Sequence, residues 1–393
     1  MLDVRSGRRW PWLTAKFRTT TRPALPDDVE ARHPLAEQRG PQSLLEFQHL
    51  FATEKQCEDY LHSIRWPEGF VCPRCGSRTG YVLAARRVTE CRNGHQVSLT
   101  AGTGMHRSKL PLTVWFHAAY LVSTLTPGIS GLQLQKQLGI SRYETAFQLL
   151  HKLRATLVAP DREPLRGEVE VDEGFLGGPE EGRPGRGAET KSLVVFAVEI
   201  IRYVASDPRH PGDPNAWLDK MRAGRVRMSC IPDASAETLM PWCELNIRPG
   251  SRVTTDGWPA YNGLVKLGYL HQRTMQSEKG KKTGDYLPMV HLIVSNLKRW
   301  LLGTYKGAVL PHHLPAYLNE FAFRFNRRFW RGPAFHRALG LLTHAENWPE
   351  YDTLYSVAKG AEGAWVHPSS PANTRPMSKN RCDKAAPLPA VCS

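Results

Sequence analysis

No apolar run in this chain approaches the ~18 to 20 residues that a bilayer span requires. The longest, Leu193 to Ile201, is interrupted by Glu199, so a soluble protein with no membrane partner is expected. The opening stretch "MLDVRSGRRWPWLTAKFRTTTRPALPDD" is basic and has no continuous apolar core of the secretory kind, which points to a reducing compartment. Cysteine is sparse, eight in 393 residues, and in such a compartment it suggests metal ligands or buried thiols before disulfides. Acidic residues are in deficit: 37 Asp and Glu stand against 52 Lys and Arg, leaving a net charge of +15. That balance suits a polyanionic partner such as nucleic acid, although a merely soluble basic protein has the same signature. Hydrophobic residues make up 41% of the chain, enough for a substantial core divided over two or three domains.

Residues 1–42 are rich in Arg, Pro and Thr without periodicity and are expected to be a disordered basic tail. Apolar spacing over 43–69 predicts a helical segment, and residues 70–107 form a compact cysteine-containing unit. Residues 108–160 read as a helical DNA-binding region. Within it Ser130 with Gln133 and Ser141 with Glu144 predict two capping boxes, and Gly139 lies in the turn between them. That is the outline of a helix-turn-helix, whose second helix would carry Arg142 and Lys152 toward DNA; a helical hairpin that only packs has the same outline. Residues 161–330 change period. "GEVEVDEGFLGG", "KSLVVFAVEII", "RVRMSCIPD" and "SRVTTDGW" read as strands, and helices are expected near 234–246, 288–302 and 314–327, giving a mixed α/β domain with helices packed on a sheet. The links "GGPEEGRPGRGAE" and "SDPRHPGDPN" read as exposed connections, and 331–393 as a C-terminal extension, largely loose from about 364.

The compact unit contains Cys72, Cys75, Cys91 and His95 in a C-x2-C-x15-C-x3-H spacing. Thiolates and a neutral imidazole at tetrahedral reach suit a closed, structural Zn²⁺ site holding hairpins too small to bury a core. Cys57, Cys230, Cys243, Cys382 and Cys392 lack such partners and read as ordinary thiols.

Metal-assisted phosphoryl transfer needs hard oxygen ligands converging from separate elements, typically carboxylates at strand ends. Asp172 follows the alternating run Val169-Glu170-Val171, and Asp256 follows Val253-Thr254-Thr255 just before a Gly-Trp-Pro turn. Glu170 shares the strand face of Asp172 and competes for the same role, whereas Glu173 faces the other way. In "PMVHLIVSNLKRWLLGTYKG", helical projection gathers Leu292, Ile293, Val294, Leu297, Trp300 and Leu301 on one face and His291, Ser295, Lys298 and Arg299 on the other. His291 and Lys298 are seven residues apart and project within about 20° of each other, while Asn296 lies well away.

These segments, in this order, resemble the zinc-ribbon class of bacterial insertion-sequence transposases. The likeness runs from about Ser43 to Arg328 through "QVSLTAGTGMHRSKLPLTVWF", "GISGLQLQKQLGISRYETAFQLLHKLR", "GEVEVDEGFLGG", "TTDGWPAYNGL", "LKRWLLGTYKG" and "HLPAYLNEFAFRFNRR". The resemblance implies an α/β catalytic domain of ribonuclease H-like fold with a DDE-type active site, preceded by the zinc ribbon and the helix-turn-helix-like region. Asp172 matches the first acid and Asp256 the second; His291 stands where the third, a glutamate, is expected, with Asn296 as an alternative, and Lys298 matches the basic residue seven positions on. Gly94 occupies a position where many relatives have the fourth ribbon cysteine, so His95 must supply that ligand. Implied with these are Mg²⁺ or Mn²⁺ at the acids and double-stranded DNA as partner, both the element's terminal inverted repeats and the target. A homodimer or larger assembly on DNA, and a cytoplasmic, nucleoid-associated location, follow from the same likeness. Lys298, Arg299, Arg327 and Arg328, with Arg324, would extend a basic DNA track. The rival expectation is a DNA-binding regulator or an inactive domesticated relative, which the absent glutamate keeps open.

Overall fold

The computed structural model describes residues 40–83, 86–159, 161–177, 191–207, 217–274, 286–307, 309–345, 347–350 and 354. Nearly all of the expected N-terminal tail, the segment from 364 with Cys382 and Cys392, and most of the two glycine- and proline-rich links lie outside the described residues.

The chain begins with two helices, α1 (Leu44–Leu50) and α2 (Glu54–Arg65). Ser43 caps the first through the N–H of Glu46, and Thr53 with Gln56 forms a full capping box on the second. A three-stranded antiparallel sheet follows, β1 (Gly80–Leu83), β2 (Val88–Cys91) and β3 (Gln96–Ser98). Then come α3 (Leu112–Thr124), α4 (Gly131–Gln137) and α5 (Tyr143–Thr156). Ser130 caps α4 by accepting the Gln133 N–H, one half of the expected capping box, and Gly139 takes the left-handed conformation in the turn (φ +63°). The second expected capping box does not form. Helix α5 starts one residue later than Ser141 would require, with Arg142 at its N-cap and no side-chain bond there, and the carbonyl of Ser141 instead accepts from Gln135.

The larger sheet has the order β6-β5-β4-β7-β8, built from β4 (Glu168–Leu176), β5 (Ser192–Ser206), β6 (Trp217–Ile231), β7 (Arg252–Thr255) and β8 (Leu270–Arg273). β4, β5 and β6 pair antiparallel; β4, β7 and β8 pair parallel. This is the mixed α/β sheet of a ribonuclease H-like domain. Alternation along β4 sorts its side chains. Val169 and Val171 pack with Leu239 and Trp242 of α6 (Ala236–Asn246) on one face. Glu170 and Asp172 take the other face, where α7 (Pro288–Tyr305) and α8 (Leu314–Asn326) cover Val194, Phe196 and Val198. The buried stripe of α7 is Val290, Ile293, Leu297 and Leu301; Leu292, expected on that face, is 43% exposed. Its position, two residues beyond Val290, turns it about 200° from the stripe.

Residues 331–343, expected to belong to an extension, form α9 (Arg331–Thr343) and return to the N-terminal helices. Phe335 sits among Phe47, Phe51, Phe116 and Tyr120, with ring centroids 5.4 to 6.0 Å away. The helical core is therefore closed by a segment that lies beyond the α/β domain in sequence.

Candidate active site and metal centre

Parallel pairing of β4 with β7 sets Glu168 against Arg252 and Glu170 against Thr254. Continued by two residues, that register carries Asp172, midway along β4, and Asp256, just past the end of β7, to the same level on neighbouring strands, which run about 4.8 Å apart. Both carboxylates line a cleft of about 1120 Å³, whose wall also includes Glu173, Asp233, Trp258 and Lys298. Asp256 is steadied by the Trp258 N–H, which donates to its Oδ1 at 2.9 Å, and Asp172 accepts the Glu173 N–H at 2.9 Å. Burial, then the charges of Glu173 and Asp256, push the Asp172 carboxyl up to about 7. The hard oxygens of carboxylates crowded in this way are the donors that Mg²⁺ or Mn²⁺ prefers. The residues present fit a divalent cation.

The two neighbouring glutamates are engaged by the protein. Glu170, on the Asp172 face, is buried and accepts the backbone N–H groups of Met289 and Val290 at 2.8 and 2.9 Å. It is the anion at the N-terminus of α7, where the first N–H groups of a helix have no partner of their own. Glu173 lies on the opposite face, and the Tyr261 hydroxyl donates to it at 2.5 Å.

Along α7, Lys298 lines the cleft wall, and neither His291 nor Asn296 does. His291 lies two turns back on the same flank, its ring edge-on to Tyr286 at 4.9 Å. Burial, and after it the charges of Asp172 and Asp256, raises the Tyr286 hydroxyl. Burial lowers the His291 pKa and so favours the neutral ring; its buried Nε2 has no hydrogen-bond partner among the described residues. Asn296 points elsewhere and accepts from Arg299 at 2.6 Å. Sequence reasoning passed over Asp233, whose carboxylate accepts from the Ser235 N–H and the Thr238 hydroxyl at the start of α6. The signal was the "PDAS" run ahead of an amphipathic stretch, a helix-start pattern.

In the ribbon, the ligand atoms of Cys72, Cys75, Cys91 and His95 all lie within 4.8 Å of one another. Cys75 Sγ and Cys91 Sγ are 3.7 Å apart, and His95 Nδ1 is 3.6 Å from Cys91 Sγ and 3.9 Å from Cys72 Sγ. Zn–S bonds of about 2.3 Å arranged tetrahedrally require sulfur separations of about 3.8 Å. The four side chains thus have the donor set and the dimensions of a structural zinc site. Gly76 and Gly94 adopt φ of +70° and +78°, letting the backbone curl back under the ligands. Outside the ribbon, burial raises the thiols of Cys57, Cys230 and Cys243 to about 12, which keeps them protonated.

Several residues expected to face DNA turn inward. Lys152 is 5% exposed and donates to the His106 carbonyl at 2.9 Å, because α5 is wrapped by other helices over its C-terminal half. Arg324 donates to the carbonyls of Leu125 and Thr126, and Arg328 to those of Ala223 and Phe325, so these two hold elements together. Arg327 lies over the Phe323 ring at 4.3 Å. Arg142 and Arg299 remain exposed.

Two family models match in chain order: a transposase zinc-ribbon domain over residues 52–95 and an ISXO2-like transposase domain over residues 164–326. The first takes in all four ribbon ligands, and the second takes in Asp172, Asp256, His291 and Lys298. An uncharacterized protein in transposable element ISH50 of Halobacterium salinarum is 26% identical over 296 residues, covering 72% of this chain and 94% of that relative. With ribbon and acidic cleft each falling inside its matching model, the chain carries a transposase zinc-ribbon domain followed by an ISXO2-like transposase domain.

Proposed function

We propose that the protein binds the ends of its own insertion sequence as double-stranded DNA, cuts them, and joins them to a target. The observation that carries this reading is the register that brings Asp172 and Asp256 together in one cleft with Lys298. Asp172 and Asp256 hold the divalent cations, Mg²⁺ or Mn²⁺, and Lys298 places a DNA phosphate beside them. Bound there, the metals supply activation of the attacking hydroxyl and stabilisation of the departing oxygen. Glu170 acts through α7, fixing the helix that carries Lys298, and His291 occupies the third position as a neutral imidazole beside Tyr286. The ribbon, with zinc bound, and the α4–α5 pair recognise the terminal repeats, with Arg142 exposed at the start of α5. Joining two ends requires at least two chains on the DNA, in the cytoplasm where the nucleoid lies.

The test is Mg²⁺-dependent nicking of DNA carrying the element's ends. Asp172→Asn and Asp256→Asn should each bind DNA with near-unchanged affinity and lose cleavage by orders of magnitude, because a charged ligand is removed. His291→Ala should impair cleavage more than Asn296→Ala, since Asn296 is turned toward Arg299. Full cleavage by Asp172→Asn would remove the reading. Binding without cleavage by the unaltered chain would instead identify a DNA-binding regulator or an inactive domesticated transposase, the reading favoured by a histidine in place of the third glutamate.

A further inference from the structure

A second recess, of about 400 Å³, lies between the 157–166 connection, β6 and the end of α8, toward the N-terminal end of β4. Asp172 pairs with Phe196 on β5, whereas the recess is reached at Glu199, three residues further, or about 10 Å along the strand. Its lining contains seven arginines, two glutamates and no lysine. One arginine takes both glutamates: Arg225 binds Glu199 through Nη2 at 2.6 Å and Nε at 2.9 Å, and faces Glu163 at 3.8 Å. Arg162, Arg166, Arg222 and Arg328 form no ion pair among the described residues. Burial depresses Arg162 and Arg328 to about 10, so these cations are held without the anion that would offset their desolvation. The guanidinium groups of Arg222 and Arg328 lie over the exposed ring of Phe329 at 5.3 and 4.5 Å, which limits their freedom. Arg328 spends its donors on the Ala223 and Phe325 carbonyls and adds charge only, while the forked donors of Arg166 and Arg222 on this concave surface match a phosphate group, which arginine grips through paired N–H bonds.

We propose that this recess is a phosphate-binding site separate from the acidic cleft, and that it takes a backbone phosphate of DNA. The phosphate chemistry stands on the recess itself; DNA as its source rests on the proposed function. The site gives the chain a second grip on the duplex, so that the strand entering the cleft is held at two points.

The experiment uses the full chain and the double variant Arg166→Gln/Arg222→Gln, chosen because neither arginine has an ion-pair partner among the described residues. Affinity for a duplex is measured from 50 to 200 mM salt. The slope of log K against log salt should shrink by about 1.8 in the variant, a sensitivity roughly 12-fold smaller over that range. In parallel, inorganic phosphate is titrated while thermal unfolding is followed. An unchanged slope, with phosphate stabilising the unaltered chain and not the variant, would make the ligand a free phosphate and overturn the DNA assignment. An unchanged slope with equal phosphate response would overturn the site. If the double variant loses its unfolding transition, Arg166→Gln alone is read for a decrease of about 0.9. Loss of slope in a protein that never cleaves DNA supports the site while removing the catalytic reading, so the two fail separately.

Discussion

Glu170 and Asp172 differ by two positions on one strand face, yet their surroundings assign them different work. Glu170 meets the N-terminus of α7 and accepts the N–H groups of Met289 and Val290; Asp172 meets the open cleft. Burial raises the Glu170 carboxyl while the Val290 and Met289 N–H groups pull it back. An uncharged acceptor of the same shape therefore suffices for most of its role. Glu170→Ala should destabilise the protein by about 1–3 kcal/mol, by leaving those N–H groups buried and unmet. Glu170→Gln should cost less than half as much, as read by urea unfolding. Equal losses in the two variants would show that the carboxylate charge, and not the hydrogen-bond geometry, is what α7 needs.

The ribbon is the element with least core of its own. Its buried apolar set is Trp66, Cys72, Cys91 and Val97, two of which are ligands, so little apolar area opposes the chain entropy of holding three short strands. Metal binding then supplies the folding free energy of the unit. One zinc per chain is expected by elemental analysis, and Cys75→Ser should strongly lower it. In that variant, amide exchange should accelerate over β1–β3 and remain slow in the large sheet. Zinc retained after Cys72 and Cys75 are both replaced would rule out this ligand set.

At the scale of the whole molecule, a buried ion pair joins the helical region to the α/β domain. Arg154 of α5 and Glu320 of α8 are 1% and 0% exposed, with Nε 2.7 Å from Oε2. Arg154 also donates to the Ile129 carbonyl and the Tyr305 hydroxyl and lies over the Tyr317 ring at 4.4 Å. Removing one member leaves the other charged and dry. Glu320→Ala should cost about 3–5 kcal/mol in global unfolding. Arg154→Met/Glu320→Leu, which removes both charges, should cost clearly less. A double variant as unstable as the single one would mean that the pair contributes through packing and not through charge.

What the sequence determined by itself was local. Period-two alternation put Glu170 and Asp172 on one face and Val169 and Val171 on the other. The spacing of Cys72, Cys75, Cys91 and His95 marked a closed site, and Ser130 marked a helix start, whereas the start expected at Ser141 shifted by one residue. Each of these depends on residues within one element or one short loop, where the backbone period dictates geometry. Tertiary structure decided which face meets what. It set the N-terminus of α7 against Glu170, folded α9 back so that Phe335 meets Phe47 in a core begun 288 residues earlier, and turned Lys152, Arg324 and Arg328 onto backbone carbonyls inside the protein. A charge count cannot reveal that last outcome. An arginine in a helix reads the same whether its partner is a phosphate in solution or a carbonyl across the chain, and only the packing of distant elements brings the carbonyl within reach.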